Sequence, residues 1–278
     1  MDRPIITSRQ NPLIKYICGL AEKKMRGKEE LFRFDGIKLL GEALDSSVEI
    51  RYVVYREPAS DTALSLINRA LESERISHGD VIAVSADVFD KISEEKSPEG
   101  VITVVRMMEN THIRTDAHRA AQLIGSEERI LIAESLRDPG NLGTVIRSCF
   151  ALGIDTLVLT EDCADIYNGK TLRAAMGAIF KMRTVSVPCQ QLPELIAELR
   201  KQGRGVYAAA LSDTAKSIEE TVFCAGDCFV IGNEGHGLSQ TVTHSCTASV
   251  IIPMREGAES LNAAAAAAIC IWETVRRR

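Results

Sequence analysis

The chain has 278 residues, 45% of them hydrophobic, and a formal net charge of −5. That length suggests about two domains with real cores, and the acidic balance excludes a protein that coats nucleic acid with its whole surface. The longest stretch without Asp, Glu, Lys or Arg, Gly235 to Met254, carries Ser, Thr, Gln, His and Cys and is no bilayer span.

The charge is unevenly placed. Residues 1 to 40 hold nine Lys or Arg against five acids, a local excess of four that suits a defined polyanion footprint or, more plainly, a solvated helix face. Met1 to Asn11 carries Asp2, Arg3 and Arg9 instead of an apolar leader, so a cytoplasmic protein is expected. Eight scattered cysteines, most in apolar segments, read as reduced, buried thiols. Neither they nor the five histidines have metal-ligand spacing, and no metal is expected.

From the N-terminus, the pattern predicts a helix over Pro12 to Lys24, a strand at Leu31 to Phe34, a helix at Ile37 to Leu44 and a strand at Arg51 to Tyr55. A helix near Thr62 to Leu71 follows, then strands at Val81 to Val84 and Val101 to Arg106. This small α/β layer, residues 1–106, has no nucleophile, base or phosphate-loop spacing and reads as a binding domain. Residues 107–128 lose the rhythm and read as a linker. Residues 129–278 regain it, with strands at Ile130 to Ala133, Thr156 to Thr160, Thr184 to Val187, Val206 to Ala210, Phe229 to Ile231 and Ser249 to Ile252. Alternation with helices predicts a mainly parallel sheet with helices on both faces, which binds ligands beyond the C-terminal strand ends.

Three loops lie at those ends. Arg137 to Gly143 precedes a helix, Thr144 to Leu152, that carries Arg147 among apolar residues; a buried guanidinium there needs an acidic or phosphate partner, whereas an exposed one needs none. The loop lacks the spacing of a dinucleotide or nucleoside triphosphate site. Gly232-Asn233-Glu234-Gly235-His236-Gly237 follows the Phe229 strand, and its glycines allow sharp turns or close approach to a ligand. Met254-Arg255-Glu256-Gly257 leads to Ser260-Leu261-Asn262, with Ser260 expected to cap an alanine-rich helix and Asn262 one turn inside it.

Three ordered segments, DPGNLGTVIRSCFALG (138–153), FVIGNEGHGLS (229–239) and IIPMREGAESLN (251–262), resemble the signature motifs of the SpoU/TrmH family of RNA 2'-O-ribose methyltransferases. Residues 164–180 are also similar to that family, and residues 1–106 resemble the ribosomal-protein-like substrate-binding domain often fused upstream. The resemblance implies a C-terminal trefoil knot, a homodimer and S-adenosyl-L-methionine as cofactor. RNA is the implied substrate, ribosomal before transfer RNA, with a non-catalytic RNA-binding relative as the alternative. Carried over by position, it assigns cofactor contacts to Gly232, Ile252 and Leu261, with Ala210, Leu211, Asn233 and Met254 as neighbours. Catalytic or structural polar roles fall to Asn141, Arg147, Glu234, Ser260 and Asn262. Ala175, Ala258 and Ala263 depart from the family's usual residues, which bears on packing and target choice more than on chemistry.

Overall fold

The computed structural model describes residues 4–212, 215–258 and 260–276. The chain divides into two compact units, residues 1–108 with 167–180, and residues 109–166 with 181–278.

In the first unit, helices α1 (Pro12–Gly19) and α2 (Lys23–Glu29) precede β1 (Leu31–Asp35). There follow α3 (Ile37–Leu44), β2 (Ile50–Glu57), α4 (Asp61–Glu72), β3 (Val81–Ser85), α5 (Ala86–Ile92) and β4 (Val101–Arg106). The sheet order is β1-β4-β2-β3, antiparallel except for the β2–β3 pair. Ile14, Ile17, Leu20, Val54, Phe89 and Ile102 belong to its core.

The single helix expected over Pro12 to Lys24 is two. Tight bonds from the amides of Leu20, Ala21 and Glu22 to carbonyls three residues back close the first helix. The buried Arg26 guanidinium then donates to the Leu20 and Ala21 carbonyls at 3.0 and 2.5 Å. Tyr167–Phe180, which includes α8 (Gly169–Ala175), packs within this unit: the Tyr167 ring lies 4.4 Å from Phe32 and the Phe180 ring 5.4 Å from Phe34.

The second unit contains β5 (His112–Arg114), α6 (Ala117–Leu123), β6 (Ile130–Ala133), α7 (Pro139–Leu152), β7 (Thr156–Thr160), β8 (Arg183–Val187) and α9 (Leu192–Lys201). It continues through β9 (Val206–Ala209), β10 (Lys216–Ser217), β11 (Cys228–Ile231), α10 (Gln240–Ser245), β12 (Ala248–Ile251) and α11 (Ala263–Arg276). Eight strands run in the order β10-β12-β9-β11-β6-β7-β8-β5, every pairing parallel.

Residues 107–128, expected as a linker, instead supply β5 and α6. Polar His112 and Arg114 hide an edge strand whose partner residues on β8 lie 72 positions away in sequence, a pairing invisible to local pattern. Helix α6 buries Ala117, Ala120 and Ala121 against α9 in a core shared with Ile130, Ile132, Val158 and Val230. Because strand side chains alternate, Leu131 and Phe229 face the opposite side, where α11 packs on α7 and β11. Burial pushes the thiols of Cys228 and Cys246 up to about 12, as suits inert core cysteines. Cys224, by contrast, is exposed.

Candidate functional site

Strand order reverses at β6: the chain runs from β6 to β7 and β8 on one side, while β11 flanks it on the other. Loops leaving the C-terminal ends of β6 and β11 therefore diverge there, the usual crevice of an open parallel sheet.

After β6, the chain turns through Glu134 to Arg137 and enters α7 sooner than expected. Asp138 caps it, its carboxylate accepting from the Asn141 amide at 2.8 Å, and Pro139 occupies the first turn, where a missing N–H costs nothing. Helix α7 buries Leu142, Val145, Ile146 and Cys149 and leaves Thr144, Arg147 and Phe150 exposed. Arg147 thus has its head in solvent, and among the described residues it has no ion pair.

After β11, the loop folds back on itself. Asn233 and Gly237 exchange backbone hydrogen bonds of 3.0 and 2.9 Å, and the Asn233 side-chain oxygen accepts from the Gly235 and His236 amides. This hairpin needs glycine at 232: a Cβ there would meet the carbonyl carbon and oxygen of Gly237 at 2.4 and 2.5 Å and the Leu238 nitrogen at 2.5 Å. Two further bonds clamp it to the β6 loop. Asn233 Nδ2 donates to the Ser135 carbonyl at 2.8 Å, and Glu134 Oε2 accepts from the Ser239 amide at 2.9 Å.

A polar chain joins three of the five catalytic candidates. Asn262 Nδ2 donates to Asn141 Oδ1 at 2.9 Å, and Asn141 Nδ2 donates to Glu234 Oε1 at 2.9 Å. Asn262, not Ser260, caps α11: its Oδ1 accepts from the amides of Ala264 and Ala265, and the helix starts at Ala263. The alanine run tolerates a start at either residue, but only Asn262 has an amide that can cap the helix and donate to Asn141 together. Asn262→Ala should therefore cost about 1 kcal/mol and lower the melting temperature by a few degrees. Asn262→Asp, which keeps the capping oxygen but cannot donate to Asn141, should recover most of that loss in thermal melts.

Two adjoining cavities open here. The smaller, 140 Å³, is walled by Ala210, Leu211, Val250, Ile252, Met254 and Leu261; the larger, 680 Å³, by the Gly232–Leu238 loop, α10 and Ser260. All seven residues expected around a cofactor line one or both: Ala210, Leu211 and Leu261 both, Ile252 and Met254 the smaller, Gly232 and Asn233 the larger. Of the catalytic candidates, Ser260 lines both and Glu234 the larger; Arg147, Asn141 and Asn262 line neither. Sequence reasoning missed Glu134 and Ser135, although an acidic residue at the C-terminal end of a parallel strand is a signal in itself. No group of His, Cys, Asp and Glu that could hold a metal ion occurs among the described residues, and no helix among them is long and apolar enough to cross a membrane.

Residues 128–272 match the model of the SpoU rRNA Methylase family. The chain belongs to that family. Residues 11–103 match an MRM3-like substrate binding domain. The Bacillus subtilis 23S rRNA (guanosine(2553)-2'-O)-methyltransferase RlmP is 30% identical over 96% of this chain and 97% of its own. A Streptomyces viridochromogenes 23S rRNA (uridine(2479)-2'-O)-methyltransferase is 27% identical over 98% of this chain and 92% of its own. Among solved structures, an AdoMet-bound rRNA methyltransferase from Sinorhizobium meliloti superposes with a TM-score of 0.80 at 27% identity, covering 98% of this chain and 97% of that one. Three of the polar residues singled out in the motif segments, Asn141, Glu234 and Asn262, are joined by hydrogen bonds within the matched span.

Proposed function

We propose that this chain is a cytoplasmic enzyme that methylates a ribose 2'-hydroxyl of ribosomal RNA, using S-adenosylmethionine. The observation that carries this reading is the pair of adjoining cavities beneath a loop that only glycine at 232 allows. The apolar sides of Ile252, Met254 and Leu261 suit the faces of an adenine, and the polar Gly232–Leu238 loop suits the charged remainder of the cofactor. Two relatives named for different bases share the 2'-O position, which favours chemistry directed at the ribose.

When bound, S-adenosylmethionine supplies an electrophilic methyl group on sulfonium. The chain's own task is to hold the ribose oxygen in line and assist loss of its proton, so positioning supplies much of the acceleration. A guanidinium is a poor base, and Arg147 is assigned to orienting the ribose and its adjacent phosphate. Glu234, Asn141 and Asn262 fix the loops around the cavities, and Ser260 borders the cofactor. Titration calorimetry tests the first step: S-adenosylmethionine or its demethylated product should bind saturably. No heat with either, alongside binding of a nicotinamide dinucleotide, would overturn the reading.

The active unit is a homodimer in this proposal. Arg147 sits about 120° around α7 from Asn141, on an exposed face with Phe150, which is 45% exposed; Trp272, on the neighbouring α11, is 52% exposed. Such an apolar surface suits a second copy, whose site Arg147 would complete. The trefoil knot belongs to the same reading, supported by β12 lying between β10 and β9 while the following α11 returns to pack on α7.

Residues 1–106 capture the RNA. Arg3 lies outside the described residues; among those described, Arg26 and Arg33 are buried and bonded within the first unit, which leaves Arg9, Lys15, Lys23, Lys24, Lys28 and Lys38 exposed. Lys23→Ala with Lys24→Ala should weaken RNA binding and reduce the slope of log affinity against log salt by about 1 to 2. An unchanged slope in filter binding would move the footprint elsewhere. Deleting residues 1–106 is a poorer test, because it strips the packing from Tyr167 and Phe180.

A further inference from the structure

Between β6 and α7, Ser135 holds φ at 54°, in the left-handed region that a residue with a Cβ rarely adopts. Its side chain reaches Asp162, in the turn after β7. Ser135 Oγ donates to Asp162 Oδ2 at 2.6 Å and Arg137 Nη2 to the same oxygen at 3.2 Å, while Thr160 Oγ1 and Cys189 Sγ donate to Oδ1 at 2.8 and 3.0 Å. Thr160 Oγ1 in turn accepts from the Ser135 amide at 2.8 Å. Ser135 is thus held at both its amide and its hydroxyl by one assembly centred on the carboxylate.

The consequence lies on the other side of the turn. With Ser135 so oriented, its carbonyl accepts from Asn233 Nδ2, and Glu134 beside it accepts from the Ser239 amide, one bond at each end of the glycine loop. Asp162 itself lines neither cavity and belongs to none of the three motif segments. We propose that Asp162 is a positioning residue for methyl transfer, holding Ser135 in its left-handed conformation so that the β6–α7 turn clamps the Gly232–Ser239 loop in ligand-binding shape.

The arrangement is built to persist. Burial opposes the charge on Asp162, but hydrogen bonds from Cys189, Ser135, Thr160 and Arg137 more than reverse this and hold the carboxyl well below the usual carboxylate range. The stabilisation it provides is therefore complete above the ordinary unfolded value near ~4 and is lost only as pH falls through the depressed folded value.

The kinetic part of the test rests on the proposed function; hydrogen exchange in cofactor-free protein does not. In Asp162→Ala, the amides of Asn233 and Gly237, which pair with each other's carbonyls, should exchange about tenfold faster, and single-turnover methylation should slow by about 10- to 100-fold. Adding Ser135→Gly should reverse most of both changes, because glycine adopts a positive φ unaided. Because glycine at a positive φ also relieves strain, thermal melts of both variants accompany the exchange data and separate positioning from general stability. Wild-type exchange in Asp162→Ala would overturn the proposal. So would a double variant that melts like the wild type yet exchanges as fast as Asp162→Ala. Absence of methyl transfer by the wild-type protein would contradict the proposed function, and the exchange data would still decide the clamp.

Discussion

Arg147→Ala should slow single-turnover methyl transfer by ~30- to 1000-fold while leaving folding and cofactor affinity nearly intact. The first half follows from removing a bidentate, charge-assisted contact to ribose or phosphate, worth about 2–4 kcal/mol in a desolvated site. The second half follows from position. Arg147 is on the exposed face of α7, contributes nothing to the core built by Val145, Ile146 and Cys149, and lines neither cavity. Arg147→Lys should rescue poorly, since an ammonium cannot reproduce the planar fork. A wild-type rate for the alanine variant at saturating RNA and cofactor would make the residue dispensable. Loss of dimerisation with weakened cofactor binding would give it the role of holding the two copies together and not of placing the ribose.

Gly232→Ala should impair function by a different route, the loss of cofactor affinity. The added methyl would overlap Gly237 and Leu238 backbone at 2.4–2.5 Å, and backbone cannot rotate aside as a side chain can. Relief requires opening the Asn233–Gly237 bridge, at a cost of about 3 kcal/mol or more, which corresponds to ~100-fold weaker cofactor binding. Gly237→Ala is the informative comparison, because that Cβ meets nothing within 4 Å and only its φ of 66° is unfavourable. It should cost about 1–2 kcal/mol and weaken binding less. Calorimetric affinities that rank the two variants in the opposite order would contradict the close-approach account of Gly232.

The central strands β6, β7 and β11 of the second unit were legible because they are buried on both faces and so read as short, continuous apolar runs. Ile130–Ala133 and Thr156–Thr160 have the bounds expected, and Thr184 to Val187 lacks only Arg183. Helix starts were less so. Asp138-Pro139 is a capping signal in plain view, yet two following glycines made Gly140 to Gly143 look like loop, and α7 begins five residues before the expected Thr144. The alanine run after residue 262 conceals its own start, which is fixed by the side-chain bonds of Asn262 and not by propensity. Edge strand β5 was beyond local reading, its partner being fixed by the fold.

Motif residues were legible in the site, but the groups that support them were not. Asn141, Glu234 and Asn262 could be named from three ordered segments; their mutual hydrogen bonds could not. The Asp162 assembly draws on Ser135, Arg137, Thr160 and Cys189, spread over more than 50 residues of sequence, and no spacing rule gathers such a set. Arg147 is the converse case. Its apolar helical neighbourhood left open whether the guanidinium was buried with a partner or reached water, and the fold turns that residue to solvent.

Ribose methylation mapped across all RNA from cells with and without this protein tests the central claim most directly. The account predicts that one 2'-O-methylated position in ribosomal RNA disappears when the protein is absent and returns with the wild-type chain but not with Arg147→Ala. Unchanged ribosomal RNA, or a loss confined to transfer RNA, would contradict it.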